Sequence, residues 1–350
     1  MSSSAVGNAT LTVAYVVFSE EKIPVARLAL LHRYARFFDE IRYLGPWSAA
    51  LVREADANVT RANASALLLE WHAEPALIPG AARSYRQCSA VKHLQLGNRE
   101  SLKAFSYACV AFELEALRDR TTRTRNVLVF HADFWVNVFR LRTAFPLGRL
   151  WNLASSGEHL PSSVYDHTGL LRRANQTTGC HTAHTLPDSG VQLGAINHTQ
   201  AALGEICAWA EYGNLRSCTE LLSGTLLWWC FSWIDLWHVP ARHMARFVEL
   251  SRPFLRRKVV HEIATPTIMR LLAEVDGERP VQLSCAGCCC CHVPPHQAAQ
   301  LLEHNCAHKL DLSRRDGRAA LAWALAGQSS SQSAHRGAST SRVSSGLRLS

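Results

Sequence analysis

Asn126 to Trp135 reads NVLVFHADFW: an unbroken apolar run, Val127 to Phe130, then His131, Asp133 and two aromatics. A strand open to water on one face alternates apolar and polar residues, so a run that is apolar at every position predicts a central strand covered on both sides. In open α/β sheets ligands bind beyond the carboxyl ends of the strands, which makes Asp133 a candidate binding residue. A carboxylate there can hold a divalent cation that bridges the oxygens of a diphosphate. The alternative is that Asp133 caps the next helix or turn. In the binding reading, Phe134 and Trp135 would wall the pocket or stack on a base or sugar.

Upstream, Thr10 to Phe18 (TLTVAYVVF) is β-branched and aromatic and predicts a buried strand. Pro24 suits the first turn of a following helix, along which Val25, Leu28, Leu31, Ala35 and Phe38 recur at helical spacing. Glu40 to Leu44 predicts a second strand, Trp47 to Ala55 a helix, and Ala66 to Trp71 a third strand. This alternation predicts an α/β layered domain, its central sheet mostly parallel and flanked by helices. Between Asn98 and Arg118, the residues Leu102, Phe105, Cys109, Phe112 and Ala116 step along one face and predict an amphipathic helix.

Downstream, residues 150–202 lose periodicity and fill with Gly, Ser, Thr, His and Pro, which reads as an irregular insertion within a domain spanning 10–279. Strands are expected again at Leu226–Cys230 and Asp235–Val239, and helices from near Pro240 to Leu250 and from about Ile263 to Glu274. Residues 1–9 form an N-terminal segment and 280–327 a Cys/His-rich C-terminal extension. Residues 328–350 are low in complexity and expected to be disordered, having too little apolar surface to offset the entropy of ordering.

The 350 residues suffice for a large core, and no apolar run reaches bilayer length. Of the formal net charge of +9, the stretch from Arg314 onward, with six Arg and one Asp, holds five, leaving +4 for all that precedes it. So diffuse a charge argues against a nucleic-acid partner. Five of the eleven Asn residues head an N-x-[ST] sequon, namely Asn8, Asn58, Asn63, Asn175 and Asn197. Chance supplies roughly one or two matches to so short a pattern. The favoured expectation is passage through the secretory pathway with glycans at those positions; coincidental matches are the alternative. Twelve cysteines are compatible with that compartment. The opening MSSSAVGNATLTVAYVVF has no basic n-region and runs into Ser19-Glu20-Glu21-Lys22 without a small-residue cleavage site. Either the protein is not secretory or its membrane anchor lies upstream of this start; the anchor is the favoured expectation, with membrane contact only through it.

VLVFHADFW and the helix before it resemble the segment of GT-A-fold glycosyltransferases that carries the metal-binding D-x-D element. CFSWIDLWHVPAR (Cys230 to Arg242) resembles their acceptor-side segment, in which an acid follows a strand and an aromatic. VVHEIATPTIM (Val259 to Met269) resembles a late segment whose histidine can be a further metal ligand. TVAYVVFSEEKIPVARLALLHRYARFFDEI looks like the first strand and helix of a nucleotide-sugar-binding half. The similar regions run discontinuously from about Leu11 to Leu272. Where the family commonly has two acids, His131-Ala132-Asp133 keeps only the second, and a histidine brings no negative charge to a cation.

The resemblance implies a single GT-A-like (Rossmann-like) α/β domain that transfers a sugar from a nucleoside-diphosphate donor to a hydroxyl of a glycan or protein acceptor, in the Golgi lumen. It implies Mn²⁺ or Mg²⁺ held by Asp133 with His131 and His261, and a donor site to which His131, Asp133, Trp135 and Trp233 contribute. Asp235 or Glu262 would be the base or acceptor-orienting group, because deprotonating the attacking hydroxyl needs a carboxylate within reach. Asp235 is the first choice, with Trp233 and Trp237 flanking it as platforms for sugar faces. A turn aspartate beside core tryptophans is the competing reading of Asp235, and a helix-start acid that of Glu262. The missing first acid keeps open a fold-retaining carbohydrate-binding or scaffold protein without turnover.

His261-Glu262-Ile263-Ala264-Thr265 lacks the second histidine of H-E-x-x-H, which excludes a zincin. No P-loop, G-x-S-x-G or strand-following G-x-G-x-x-G pattern supports a kinase, hydrolase or dehydrogenase. CAGCCCCHVPPH (Cys285 to His296), followed by His304, Cys306 and His308, has spacings that zinc could use. Disulfides or structural thiols rank ahead of zinc, because an oxidising compartment pairs neighbouring cysteines. A zinc-binding interaction module on an α/β core is the third reading.

Overall fold

The computed structural model describes residues 12–17, 31, 34, 37–45, 54, 57, 82–87, 106–117, 126–132, 134–138, 140, 141, 145–153, 179–183, 190–223, 227–231, 236–283, 285, 286, 304, 306 and 307. The decisive apolar run is a central strand: β4 (Asn126–His131) is buried at all six positions. Its neighbours are β1 (Thr12–Val17) on one side and β9 (Leu236–Val239) on the other. Beyond β1 lie β2 (Glu40–Gly45) and β3 (Ala82–Gln87); beyond β9 lie β6 (Trp151–Leu153) and β10 (Val281–Leu283). The seven-stranded sheet thus runs β3-β2-β1-β4-β9-β6-β10. Within it β9 alone is antiparallel to its neighbours, so the chain is of the α/β class with a mostly parallel sheet.

The register shows why β4 needs apolar residues on both faces. Val13, Val127 and Val239 lie in one row across the sheet, and Tyr15, Val129 and Trp237 in the next. Alternation turns these rows to one face, where they share a core with α1 (Ser106–Leu117), α4 (Met244–Arg256) and α5 (His261–Val275). Ala14, Val16, Leu128 and Phe130 point the other way and are buried too, with the Tyr34 ring edge-on to Phe130 at 5.5 Å. Each such large side chain contributes about 1.5–3 kcal/mol by leaving water.

Polar ties fix helices to the sheet. Arg42 on β2 is buried beside the Tyr15 hydroxyl, its partner row on β1, and reaches Glu40 at 2.6 Å and Glu113 of α1 at 3.6 Å. Tyr107 donates its hydroxyl proton to Val259 O at 2.9 Å, pinning α1 to the α4–α5 connection. The Asn126 side chain accepts from Ala241 N at 3.0 Å, so the first residue of β4 closes the short 3-10 turn Ala241–His243 that leads into α4.

Several sequence expectations are refined. The first, second and fourth strands fall where patterning put them. The helix of the Asn98–Arg118 stretch, described from Ser106, is buried continuously from Ser106 to Ala111, so it is covered nearly all round there and not along a single stripe. The stretch 150–202, read as irregular, contains β6, β7 (Gly179–Ala183) and most of α2 (Gly190–Cys207). Strand β7 pairs antiparallel with β8 (Leu227–Phe231). Short α3 (Arg216–Leu222) follows α2 and is joined to it by the Cys207–Cys218 disulfide. The third strand of the sheet is Ala82–Gln87; the expected strand at Ala66–Trp71 and most of the first two expected helices lie outside the described residues.

The Cys/His-rich extension is built into the fold. Val281–Leu283 adds β10 to the main sheet, and β12 (Cys306–Ala307) joins β11 (Cys285–Ala286) to β5 (Trp135–Val136) in a three-stranded sheet. The tail 328–350 lies outside the described residues. Among the described residues, no helix is long and apolar enough to cross a membrane.

Candidate functional site

From β1 the chain builds outward through β2 to β3, then returns to the opposite side of β1 to lay down β4. Strand order therefore reverses between β1 and β4, and at such a switch point the two carboxyl ends splay to leave a crevice. The row at that edge pairs Val17 with His131. His131 continues the alternation of Val127 and Val129, so its ring turns to the face carrying α5.

There it meets His261, the first residue of α5. The two rings lie with centroids 5.3 Å apart and planes tilted by 58°, and both are buried, His131 to 4 % exposure and His261 to 1 %. α5 is aimed by what precedes it. Helix α4 closes with Val259 N bonded to Phe254 O and Lys258 N to Leu255 O, Lys258 taking φ 54°. This left-handed stop turns the chain so that α5 begins three residues later. Thr267 fastens the helix from below, its hydroxyl accepting from Cys230 N of β8 at 3.1 Å.

Glu262 is the second residue of α5, where its negative charge suits the helix N-terminus. Its carboxylate lies 3.2 Å from His261 Nδ1, without the angle of a directed hydrogen bond. About a quarter of the Glu262 side chain is exposed, so it alone of this trio reaches water appreciably.

Asp133, Trp233 and Asp235 lie outside the described residues, but Ala132 and Phe134 on either side of Asp133, and Leu236 after Asp235, are placed. Ala132 N bonds to Val17 O at 2.9 Å and Phe134 N to His131 O at 3.0 Å, holding both flanks of Asp133 at the switch point. Leu236, directly after Asp235, pairs with Phe130, directly before His131. Three segments distant in sequence thus reach one edge of the sheet.

Two expectations are corrected. Trp135 has no exposed surface: it sits in β5 opposite Ala307 of β12, so its ring packs within the protein and offers no face to a base or sugar. Trp237 is likewise buried, its ring 4.9 Å from that of Phe247. Both rings are spent on the core, because β5 is covered by the extension and β9 by α4.

No protein-family model and no curated protein sequence matches the chain.

Sequence reasoning missed Tyr34, which supports the site from behind. Its hydroxyl accepts from Val136 N at 2.9 Å, and Asn137 donates to His304 O at 3.2 Å, so β5 is held on one side by Tyr34 and on the other by the extension. The spacing of Leu31, Tyr34 and Phe38, all buried, carried that signal. Among the described residues no three His, Cys, Asp or Glu side chains converge as a metal site. The described donors are two imidazoles, a set that fits a borderline dication better than Mg²⁺, which prefers oxygen. Cys306 is disulfide-bonded and buried, which removes that sulfur from any zinc site.

Proposed function

We propose that the chain is a GT-A-like glycosyltransferase moving a sugar from a nucleoside-diphosphate donor to a hydroxyl of a glycan or protein acceptor. The observation carrying this reading is the meeting of three resembling segments at one sheet edge: His131 touches His261, and the residue after Asp235 pairs with the residue before His131. The strand order β3-β2-β1-β4 supports it further, since nucleotide-binding α/β sheets use that order and bind at its reversal.

In this reading His131, Asp133 and His261 hold a divalent cation, which when bound would neutralise charge on the departing diphosphate. Asp235 takes the proton of the attacking hydroxyl, with Glu262 as the other candidate. Trp233 remains the aromatic assigned to the donor side. The secretory-pathway assignment, with the Golgi lumen as the compartment, draws support from the Cys207–Cys218 disulfide, from disulfide bonding of Cys109, Cys230 and Cys306, and from the exposed position of sequon Asn197.

A second reading, a carbohydrate-binding or scaffold protein without turnover, is favoured by one observation: a histidine, which brings no negative charge, stands where the family has its first acid. A panel of nucleotide sugars, scored by thermal shift with and without Mn²⁺ and then by nucleoside-diphosphate release, separates the two. Stabilisation with release supports the transferase; stabilisation without release supports the binder; no stabilisation by any donor removes the transferase.

A further inference from the structure

We infer that Cys306, in the C-terminal extension, is a positioning residue: its disulfide and its place in β12 hold β5, and through β5 the backbone that follows β4. The inference rests on the proposed transferase reading, which puts the donor at this edge of the sheet. Three observations carry it. The first is direction. β9 is antiparallel to both β4 and β6, and β10 is parallel to β6, so β4, β6 and β10 all finish at the same edge. The extension leaves β10 at Leu283 and enters β11 at Cys285, while β5 opens at Trp135, just after β4 closes at His131. The three-stranded sheet β11-β12-β5 is therefore entered from both sides at the carboxyl edge of the main sheet.

The second observation is the path from β12 to the site. Cys306 pairs with Val136 and Ala307 with Trp135. Phe134 N is bonded to His131 O at 3.0 Å and Ala132 N to Val17 O at 2.9 Å, so each described residue from Ala132 to Val136 is tied to β1, to β4 or to β12. β5 is two residues long, and so short a strand has few ladder bonds of its own to fix it. The third is how β12 is held. Cys306 has no exposed surface and is disulfide-bonded, and a covalent tie restricts the chain where β12, itself two residues long, brings few ladder bonds. Asn137 Nδ2 donates to His304 O at 3.2 Å and adds a polar tie to the same stretch. The Cys207–Cys218 disulfide is placed differently: it joins α2 to α3, whose Ser217 hydroxyl donates to Glu274 at 2.5 Å, in the last turn of α5 and at the far end from His261.

The test is native-state hydrogen exchange of the full oxidised chain, compared across wild type, Cys306→Ala and the double variant Cys207→Ser with Cys218→Ser. In Cys306→Ala the amides of residues 134–137 should lose at least about tenfold more protection than those of β1, and the double variant should show no such excess. Asn137→Asp keeps the acceptor that Arg140 N uses at 3.1 Å and lacks the donor to His304 O, with every disulfide present. It should show the same regional excess, about threefold or more. With whichever nucleotide sugar stabilises the chain, Cys306→Ala should raise the donor KM at least about fivefold while kcat stays within about twofold, and the double variant should leave KM unchanged. Equal loss of protection in β1 and β5 of Cys306→Ala, or an equal regional excess in the double variant, would overturn the inference. Should Cys306→Ala fail to fold, wild-type protection of β5 in Asn137→Asp would overturn it instead. Regional loss in a chain that no nucleotide sugar stabilises sinks the transferase reading and leaves the hold on β5 standing. Turnover with an unchanged KM in Cys306→Ala does the reverse, removing the positioning role and leaving the transferase.

Discussion

His131 and His261 lie 130 positions apart in the sequence, yet their rings sit 5.3 Å from each other at the switch point of the sheet. Two local features bring this about. Alternation along β4 turns residue 131 toward the helical face, and the left-handed stop at Lys258 starts α5 at residue 261.

That stop yields the first prediction. Helices α4 and α5 end in the same backbone motif, and at the left-handed position α5 has Gly277 at φ 65° while α4 has Lys258 at φ 54°. A side chain with a Cβ is strained there, so Lys258→Gly should raise stability by up to about 1 kcal/mol, measured by denaturant unfolding. A loss of stability would mean that the Lys258 side chain contributes more than its backbone costs.

Tyr34 supplies the second. Removing its hydroxyl leaves Val136 N buried without its acceptor, so Tyr34→Phe should cost about 1–3 kcal/mol. If β5 steadies the Asp133 segment, the donor KM should also rise more than kcat falls. An unchanged unfolding midpoint would show that this bond does not hold β5.

Acid stability should depend on His238. Burial beside Trp151, whose ring it stacks on at 4.1 Å, pushes its pKa from 6.5 down to about 3, although the contact of Nδ1 with Arg149 O at 3.0 Å opposes this. The folded pKa lies below the unfolded one, so between those values the unfolded chain takes up a proton that the fold refuses. The stabilisation is therefore complete above about pH 6.5 and is lost as pH falls toward 3. His238→Phe keeps a stacking ring and cannot protonate. The stability difference between wild type and this variant should shrink as pH is lowered from about 7 to 4, and a difference that stays constant would contradict the assignment.

Much of the sheet was legible because burial on two faces leaves a mark. TVAYVV and NVLVFH are apolar on both faces, and both are central strands. ARSYRQ was not legible as β3: an edge strand tolerates charge and carries no such run. Helix α2 was hidden because it begins in Gly, Val, Gln, Leu and Gly, whose spacing marks no stripe. At the site, His131 and His261 could be nominated by chemistry and were brought together by topology that no local pattern encodes. The tryptophans misled for the opposite reason, since a large ring reads alike in sequence whether it lines a pocket or fills a core, and Trp135 and Trp237 fill one.

The central claim is a sugar-transfer site at the carboxyl edge of β4, with Asp133 and Asp235 as its acids. The most direct measurement is nucleoside-diphosphate release from whichever nucleotide sugar stabilises the chain, compared across wild type, Asp133→Ala and Asp235→Ala. Release by wild type and a loss of at least about a hundredfold in each variant is the predicted result. Release at the wild-type rate in either variant would strip that residue of its role, and no release by wild type from any donor would contradict the claim itself.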